Sequence, residues 1–557
     1  MDRPFPRPWA FALLAGLTLG APAHAQKPRT ERAITAGDLR TRLGLIADDS
    51  MLGREPGGIG DYKATDYIAA EFARLGLKPA GEHGGWFQTV PFVRLRPDSG
   101  ARLMVGGKAL VPGRDFLQAG RPTMPRTLRN IAAVYGGAVG DTGANLPDSL
   151  VAGHAVVLTI ARDADGSRSM RGLGGRLASR PDLARAAMVV IVGLDLLGPE
   201  SVASIGAGRL TVDTTLSAAA APMLYVSPAA AEVMLGAPLA GLAPGAAGKT
   251  LDAAVGFVRA PTAYTARNVV AVLRGSDPKL RHEYVALTAH NDHVGFDGAP
   301  VDHDSLRAFN RVVRPMGADS PNRPPTAEEA AKMRTILDSI RKVRPARRDS
   351  IRNGADDDGS GTVSILEIAE RMAGERKQLR RSILFVSHTG EEYGLIGSAW
   401  FTDHPTVKRD SIVADIDQDM VGRGATGDLP ASGPTYLEVV GARRLSREFG
   451  DQLEAANAAQ PKPFVFNYEF DVPNHPLQYY CRADHYNYAR YSIPAVSFSR
   501  GEHLDYHQVT DEAQYIDYAD MARVSSMVHD AAMRIANMDH RPALDAPKKD
   551  PNAVCRQ

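Results

Sequence analysis

The sequence predicts an α/β protein: a mostly parallel, mixed sheet with helices on both faces, and a smaller β-rich α+β domain inserted into it. Three observations carry this expectation. From Tyr264 onward, apolar runs ("RNVVAVLRG", "EYVALTAH", "SILFVSH", "IPAVSFSRG") alternate with helical stretches such as "TVSILEIAERMAG", the order of strands joined by crossover helices. The runs are continuously apolar, as strands covered on both faces require. Between about 128 and 257 the composition shifts to Ala, Gly and Val, and short runs ("HAVVLTIA", "AAMVVIVGL", "APMLYVS") stand between turn residues, reading as strands of a second domain.

The elements follow in order. "MDRPFPRPWAFALLAGLTLGAPAHAQ" places Arg3 and Arg7 before an apolar stretch from Trp9 to Leu19, then Ala23-His24-Ala25. That is the order of a secretory signal cleaved after Ala25, so 1–25 is expected to be removed and the mature protein exported, periplasmic or secreted. Within 26–127, "DLRTRLGLIADD" and "YKATDYIAAEFARLGL" repeat apolar residues at helical spacing around the loop "GREPGGIGD". The insert over 128–257 shows no clustered acid, base or nucleophile. The main domain spans 258–540. An insertion over 304–350 interrupts it, carrying the amphipathic helix "TAEEAAKMRTILDSIRKVR" between Pro-rich loops, and 541–557 forms a tail.

The totals narrow the function. A chain of 557 residues implies two or three domains. A net charge of +1 argues against nucleic acid or an anionic membrane as partner, and no run after the signal reaches spanning length. The only cysteines, Cys481 and Cys555, lack CxxC spacing; they leave one disulfide open, and any metal must be held by His, Asp and Glu.

Those residue types gather at strand ends, where open α/β sheets bind ligands. "YVALTA" runs into His290 and Asp292. "ILFVS" runs into His388, Glu391 and Glu392. "IVADI" is followed by Asp417 and Asp419, and "IPAVSFS" by a loop with Glu502, His503, Asp505 and His507. A fifth group, "NGADDDGSG", sets Asp356–Asp358 before a helix. Imidazoles and carboxylates converging in this way would hold two zinc-like cations, one carboxylate bridging them. Of the adjacent Glu391 and Glu392, one could ligate and the other accept a proton from water. "DDDGSG" also has the spacing of a calcium loop, but no helix runs into it and no partner loop appears.

The segments "AHNDHVG", "NGADDDGSG", "HTGEEYGLIGS", "DIDQDMVG" and "DYHQVTDE" resemble, in the same order, the co-catalytic zinc aminopeptidases of metallopeptidase family 28. The resemblance runs from about 35 to 535, and the 128–257 segment is similar in position and composition to an inserted protease-associated domain. It implies a zinc exopeptidase fold and two Zn2+ ions per chain. His290 and Asp419 would bind one zinc, Glu392 and His507 the other, and Asp357 would bridge them before a cis 357–358 peptide bond. Glu391 would be the general base and Asp292 the orienter of His290. Asp417 stands where the family often has Asn, and 304–350 is longer than the usual connection.

The implied activity is exopeptidase cleavage of peptide substrates, most simply as an aminopeptidase. A carboxypeptidase or dipeptidase is the alternative, with Arg482, Arg490 and Arg500 as cations for a terminal carboxylate. A glutaminyl cyclase and a non-catalytic peptide-binding protein stand behind these.

Overall fold

The computed structural model describes residues 30–557 apart from 121–122, 140–144, 163–165, 171–172, 214–219, 318–319, 321–322, 425–432 and 546–549. The expected signal segment lies outside the described residues. The main sheet has nine strands: β1 (Lys78–Pro79), β2 (Phe87–Thr89), β3 (Arg267–Leu273), β4 (Tyr284–His290), β5 (Ser382–His388), β6 (Ile412–Gln418), β7 (Tyr436–Val440), β8 (Val465–Asn467) and β9 (Ala495–Ser499). Their spatial order is β1-β3-β5-β4-β6-β9-β7-β8, with β2 also paired to β3. The four central strands β5-β4-β6-β9 are parallel, while β3 joins β5 and β7 joins β9 in antiparallel fashion. The sheet is therefore mixed, with a parallel centre.

Continuous apolar strands serve two cores. Val285, Leu287 and Ala289 of β4 join Ile383 and Phe385 of β5 in one cluster, whereas Ala286, Leu384 and Val386 belong to another across the sheet. Successive side chains of a strand point to opposite faces, so each run must be apolar throughout. The first core is covered by α1 (Ala36–Ile46), α2 (Ile59–Arg74), α5 (Gly361–Gly374) and α6 (Tyr518–Ala536). Two more helices, α3 (His303–Val313) and α4 (Ala327–Arg341), lie in the insertion.

The helix ends follow local chemistry. Thr35 accepts the Asp38 N–H to start α1, and Thr326 with Glu329 forms a reciprocal capping box on α4. Arg42 on α1 ties three helices together. Its buried guanidinium meets Glu71 of α2 and Glu367 and Glu370 of α5, so the N-terminal helices are locked onto the sheet.

A second sheet has eight strands, in the order Lys108–Leu110, Arg102–Val105, Ala247–Val255, Arg126–Val139, Ala155–Ile160, Met188–Val192, Met223–Val226 and Phe116–Ala119. The strands of this sheet begin at Arg102, upstream of the boundary expected at 128. Arg102–Val105 pairs with Leu251–Ala254, a long-range partnership that the composition of residues 102–119 did not signal. A three-stranded sheet joins Phe92–Pro97 and Phe257–Pro261, which flank the second sheet in sequence, to Arg209–Val212 from within it.

In the 304–350 region the expected helix is α4. It is accompanied by α3 and by the antiparallel pair Phe296–Asp302 and Arg348–Ile351. Three arginines, Arg341, Arg344 and Arg347, converge on buried Asp304 to fasten this insertion. No helix among the described residues is long and apolar enough to cross a membrane.

Candidate metal centre

The parallel register brings the reactive residues to one edge. His290 ends β4 directly opposite His388, which ends β5 three residues before Glu391. Asp419 follows β6, itself paired to β4 with Thr288 opposite Asp417. Asp357 comes from the turn before α5, and His507 from the loop after β9. Segments separated by more than two hundred residues thus meet beyond the carboxyl ends of adjacent strands.

Asp357 lies at the centre. Its Oδ1 is 3.2 Å from His290 Nε2, which is in turn 3.7 Å from Asp419 Oδ1. Its Oδ2 is 3.0 Å from His507 Nε2, and that nitrogen is 2.8 Å from Glu392 Oε2. One carboxylate therefore faces two donor groups, one oxygen toward each. Among the buried side-chain atoms that make no hydrogen bond are His290 Nε2, Asp357 Oδ2, Glu392 Oε1, Asp419 Oδ1 and His507 Nε2. Buried polar atoms are almost always paired, so a convergent set left unpaired fits cations. Bare imidazole nitrogens with carboxylate oxygens are the donors zinc takes.

The electrostatics agree. Burial pushes the Asp357 carboxyl up, but His290 and His507 outweigh it and hold it well below the usual range. Burial lowers His507, yet Asp357 and Glu392 carry it up to about 10. An excess of negative charge that draws protons onto imidazoles is one that divalent cations would neutralise. Glu391 makes no such pairing: burial, then Asp419 and Glu392 nearby, push its carboxyl well above the ordinary value.

A surrounding layer holds these groups. Asp358 accepts the N–H groups of His290, Gly361 and Met420, joining three of the site-forming segments through one carboxylate. Arg54, fully buried, donates to the carbonyls of Asn291, Asn353 and Gly354. Gly354 has φ +55°, and a Cβ there would stand 2.3 Å from the Asp357 carbonyl and 2.5 Å from the His293 ring, so only glycine fits this approach. The Asp357–Asp358 peptide bond is cis.

The structure brings together all seven residues singled out from the sequence. Asp292 lies 3.5 Å from His290 Nδ1 and accepts the Glu391 N–H at 3.2 Å. The nearer partner of His290 Nδ1 is the Asp292 carbonyl, at 3.2 Å. Other candidates fall elsewhere. His388 turns away to the Tyr488 hydroxyl, Asp417 takes the Thr288 hydroxyl at 3.0 Å, and His503 packs beside Asp356 and Asp511. Cys481 and Cys555 form a disulfide.

Two residues beyond the sequence reading belong to the site. His293 is fully buried with Nδ1 2.6 Å from Glu392 Oε1 and 3.8 Å from Asp357 Oδ2. The second histidine of "AHNDH" was the available signal, but an (i, i+3) pair after a strand does not reveal which groups its side chains reach. Arg54 carried no signal, because its partners are backbone carbonyls distant in sequence.

Residues 268–532 match the model described as Peptidase family M28. "Leucine aminopeptidase 1" of Penicillium rubens is 30% identical over 184 residues, covering 31% of this chain and 45% of that protein. "Leucine aminopeptidase 1" of Coccidioides posadasii strain C735 is 45% identical over 74 residues, covering 12% and 19%. The chain thus spans less than half the length of these curated relatives. Among solved structures, an aminopeptidase from Aneurinibacillus sp. strain AM-1 aligns with TM-score 0.50 at 16% identity, over 93% of this chain and 98% of that one, a likeness of fold. Together with the geometry at the strand ends, the family match identifies residues 268–532, most of the main domain, as similar to peptidase family M28.

Proposed function

We propose that this protein is an exported di-zinc aminopeptidase, hydrolysing the first peptide bond of peptide substrates to release N-terminal residues. The observation that carries the reading is the convergence of unpaired His290, Asp357, Glu392, Asp419 and His507 atoms beside a protonatable Glu391. His290 and Asp419 would hold one zinc, Glu392 and His507 the other, with Asp357 between them. Zinc bound there supplies a Lewis acid for the scissile carbonyl and lowers the pKa of water.

The remaining work falls to the chain. Glu391 stands with Oε2 4.0 Å from His290 Nε2, beside that donor group without belonging to it. It accepts the proton of the attacking water and returns it to the departing amine. Asp292 fixes Glu391 through its N–H and flanks His290, orienting base and ligand together.

Charge in the cleft favours a free amine over a free carboxylate. Glu391, Asp419 and Glu502 line it against Arg482, which is bonded to Glu502 at 2.9 Å. Arg490 pairs with Asp403, and Arg500 is buried against backbone carbonyls and Asp520. The cations a carboxypeptidase needs are thus engaged. The names of the curated relatives, leucine aminopeptidases, support the same direction.

Export is supported by the N-terminal sequence and by the Cys481–Cys555 disulfide, which suits an oxidising compartment. Sequencing the N-terminus of protein recovered from periplasm or medium tests it; a mature chain beginning at Gln26 is expected. For the activity, the zinc-loaded protein is incubated with a mixed peptide pool and read by mass spectrometry. Loss of N-terminal residues, abolished by chelator and by N-acetylation of the peptides, is expected. Trimming from the C-terminus would overturn the aminopeptidase reading, and metal binding without turnover would favour a peptide-binding protein.

A further inference from the structure

The cleft that takes in Asp357, Glu391 and Asp419 is lined further on by Glu438, Arg482 and Glu502, and this part of it is its side lobe. The whole cleft, open mouth included, encloses about 550 Å³. Met420, Val440, Tyr479 and Tyr506 contribute apolar surface, and Ser497 and Ser499 contribute hydroxyls. Into this wall β7 sets Glu438, opposite Ser499 of β9 in register. Glu438 is 2% exposed, and its carboxylate meets the Tyr436 hydroxyl at 3.4 Å, a long contact. The other charges of the lobe, Arg482 and Glu502, neutralise each other at 2.9 Å. One carboxylate is left over at the wall of a cavity with apolar sides.

We propose that this lobe seats the side chain of the substrate's N-terminal residue and that Glu438 selects lysine or arginine there. The inference rests on the aminopeptidase reading and adds the class of residue released. Lysine and arginine carry a methylene stem that suits apolar walls and a cationic head that needs an anion. A charge-assisted hydrogen bond to a largely desolvated carboxylate is stronger than a neutral one. Burial, and then Glu502 nearby, push the Glu438 carboxyl up to about 8; an arriving cation relieves that cost, which a neutral side chain cannot do. A neutral aliphatic side chain of equal length would leave the carboxyl buried against methylenes with only its long Tyr436 contact.

The experiment compares kcat/KM of the zinc-loaded enzyme on lysyl-, arginyl-, norleucyl- and leucyl-p-nitroanilides, for the native protein, Glu438→Gln and Glu438→Asp. Norleucine keeps the stem of lysine and lacks its charge. Lysyl and arginyl substrates are expected to exceed norleucyl by about tenfold or more, the scale on which buried polar groups discriminate. Glu438→Gln should cut the basic substrates roughly 10–100-fold while leaving norleucyl within about threefold, and Glu438→Asp should keep part of the preference. Calorimetry of L-lysine against L-norleucine binding to the same protein should show the same order without turnover. Preference of the native protein for norleucyl or leucyl substrates overturns the proposal even if no variant folds. An equal loss on all four substrates in Glu438→Gln also overturns it, reassigning Glu438 to the terminal amine. No turnover on any free-amine substrate would instead remove the aminopeptidase reading, and this proposal with it.

Discussion

Asp511 receives the backbone N–H of Asp357 at 3.1 Å, and also that of Asp356 at 3.0 Å. The carboxylate faced by both donor groups is thus aimed by a second carboxylate 154 residues later in the chain, buried and fixed by two donors. Asp511→Ala would leave those two N–H groups without an acceptor and free the turn that presents Asp357. Zinc affinity, measured by equilibrium dialysis, should fall roughly 10–100-fold. Unchanged affinity would show that Asp357 is aimed by its own turn alone.

In the proposed mechanism Glu391 moves a proton and does not ligate. Glu391→Gln keeps the shape and removes the basicity, so the variant should retain native zinc content while kcat drops by about two to four decades. Metal analysis beside steady-state kinetics separates the two roles: loss of zinc with activity would make Glu391 a ligand.

Two donor groups sharing one carboxylate predict two zinc ions per chain. Chelator-treated protein titrated with zinc should reach two equivalents, with Tm rising as the ions fill because they bind the folded state alone. Removing the shared carboxylate in Asp357→Ala should weaken both equivalents, whereas Asp419→Ala should spare the one near Glu392 and His507. His293→Ala, which strips Glu392 of the imidazole at 2.6 Å, should weaken that same equivalent.

Arg42 is 1% exposed and stands among Glu71, Glu367 and Glu370. Arg42→Met preserves most of the volume but leaves Glu367 buried without its cation, while Glu370 keeps Arg74 at 3.0 Å. Breaking one side of a buried ionic cluster costs about 3–5 kcal/mol, to be read from urea unfolding. A loss below about 1 kcal/mol would place the cluster among the weak surface pairs.

The folded protein holds the Glu438 proton up to about pH 8, while the unfolded chain releases it near 4.5. Between those values the folded state binds more protons, so this group's contribution to stability is full below 4.5 and declines as pH rises toward 8. Glu438→Gln cannot ionise and lacks that decline. The Tm of the variant relative to the native protein should therefore climb by roughly a few degrees between pH 5 and pH 8 and level off above it. A constant difference would mean that water reaches Glu438 in the folded state.

The continuous apolar runs of β4, β5 and β6 and the acids and imidazoles that follow them are local features, so the α/β class and the strand-end clusters were legible in the chain itself. Which members of those clusters are the expected ligands, His290, Asp357, Glu392, Asp419 and His507, came from the resemblance to family 28, because hydrophobicity marks where a strand stops and not which following side chain turns inward. What folding alone decided depends on contacts made across long separations. The strands at 102–119 join the eight-stranded sheet by pairing with 251–254 and 223–226, and no local property of 102–119 encodes a partner so distant. His293, Arg54 and Asp511 became part of the centre because packing set a ring, a guanidinium and a carboxylate against backbone and side chains from elsewhere. Glu438 is the same case. A glutamate in "TYLEVVG" is an ordinary strand residue until β9 pairs beside β7 and turns it into the acidic wall of a cleft. Periodicity reports the face a residue occupies, whereas only the register between strands determines what lies across from it.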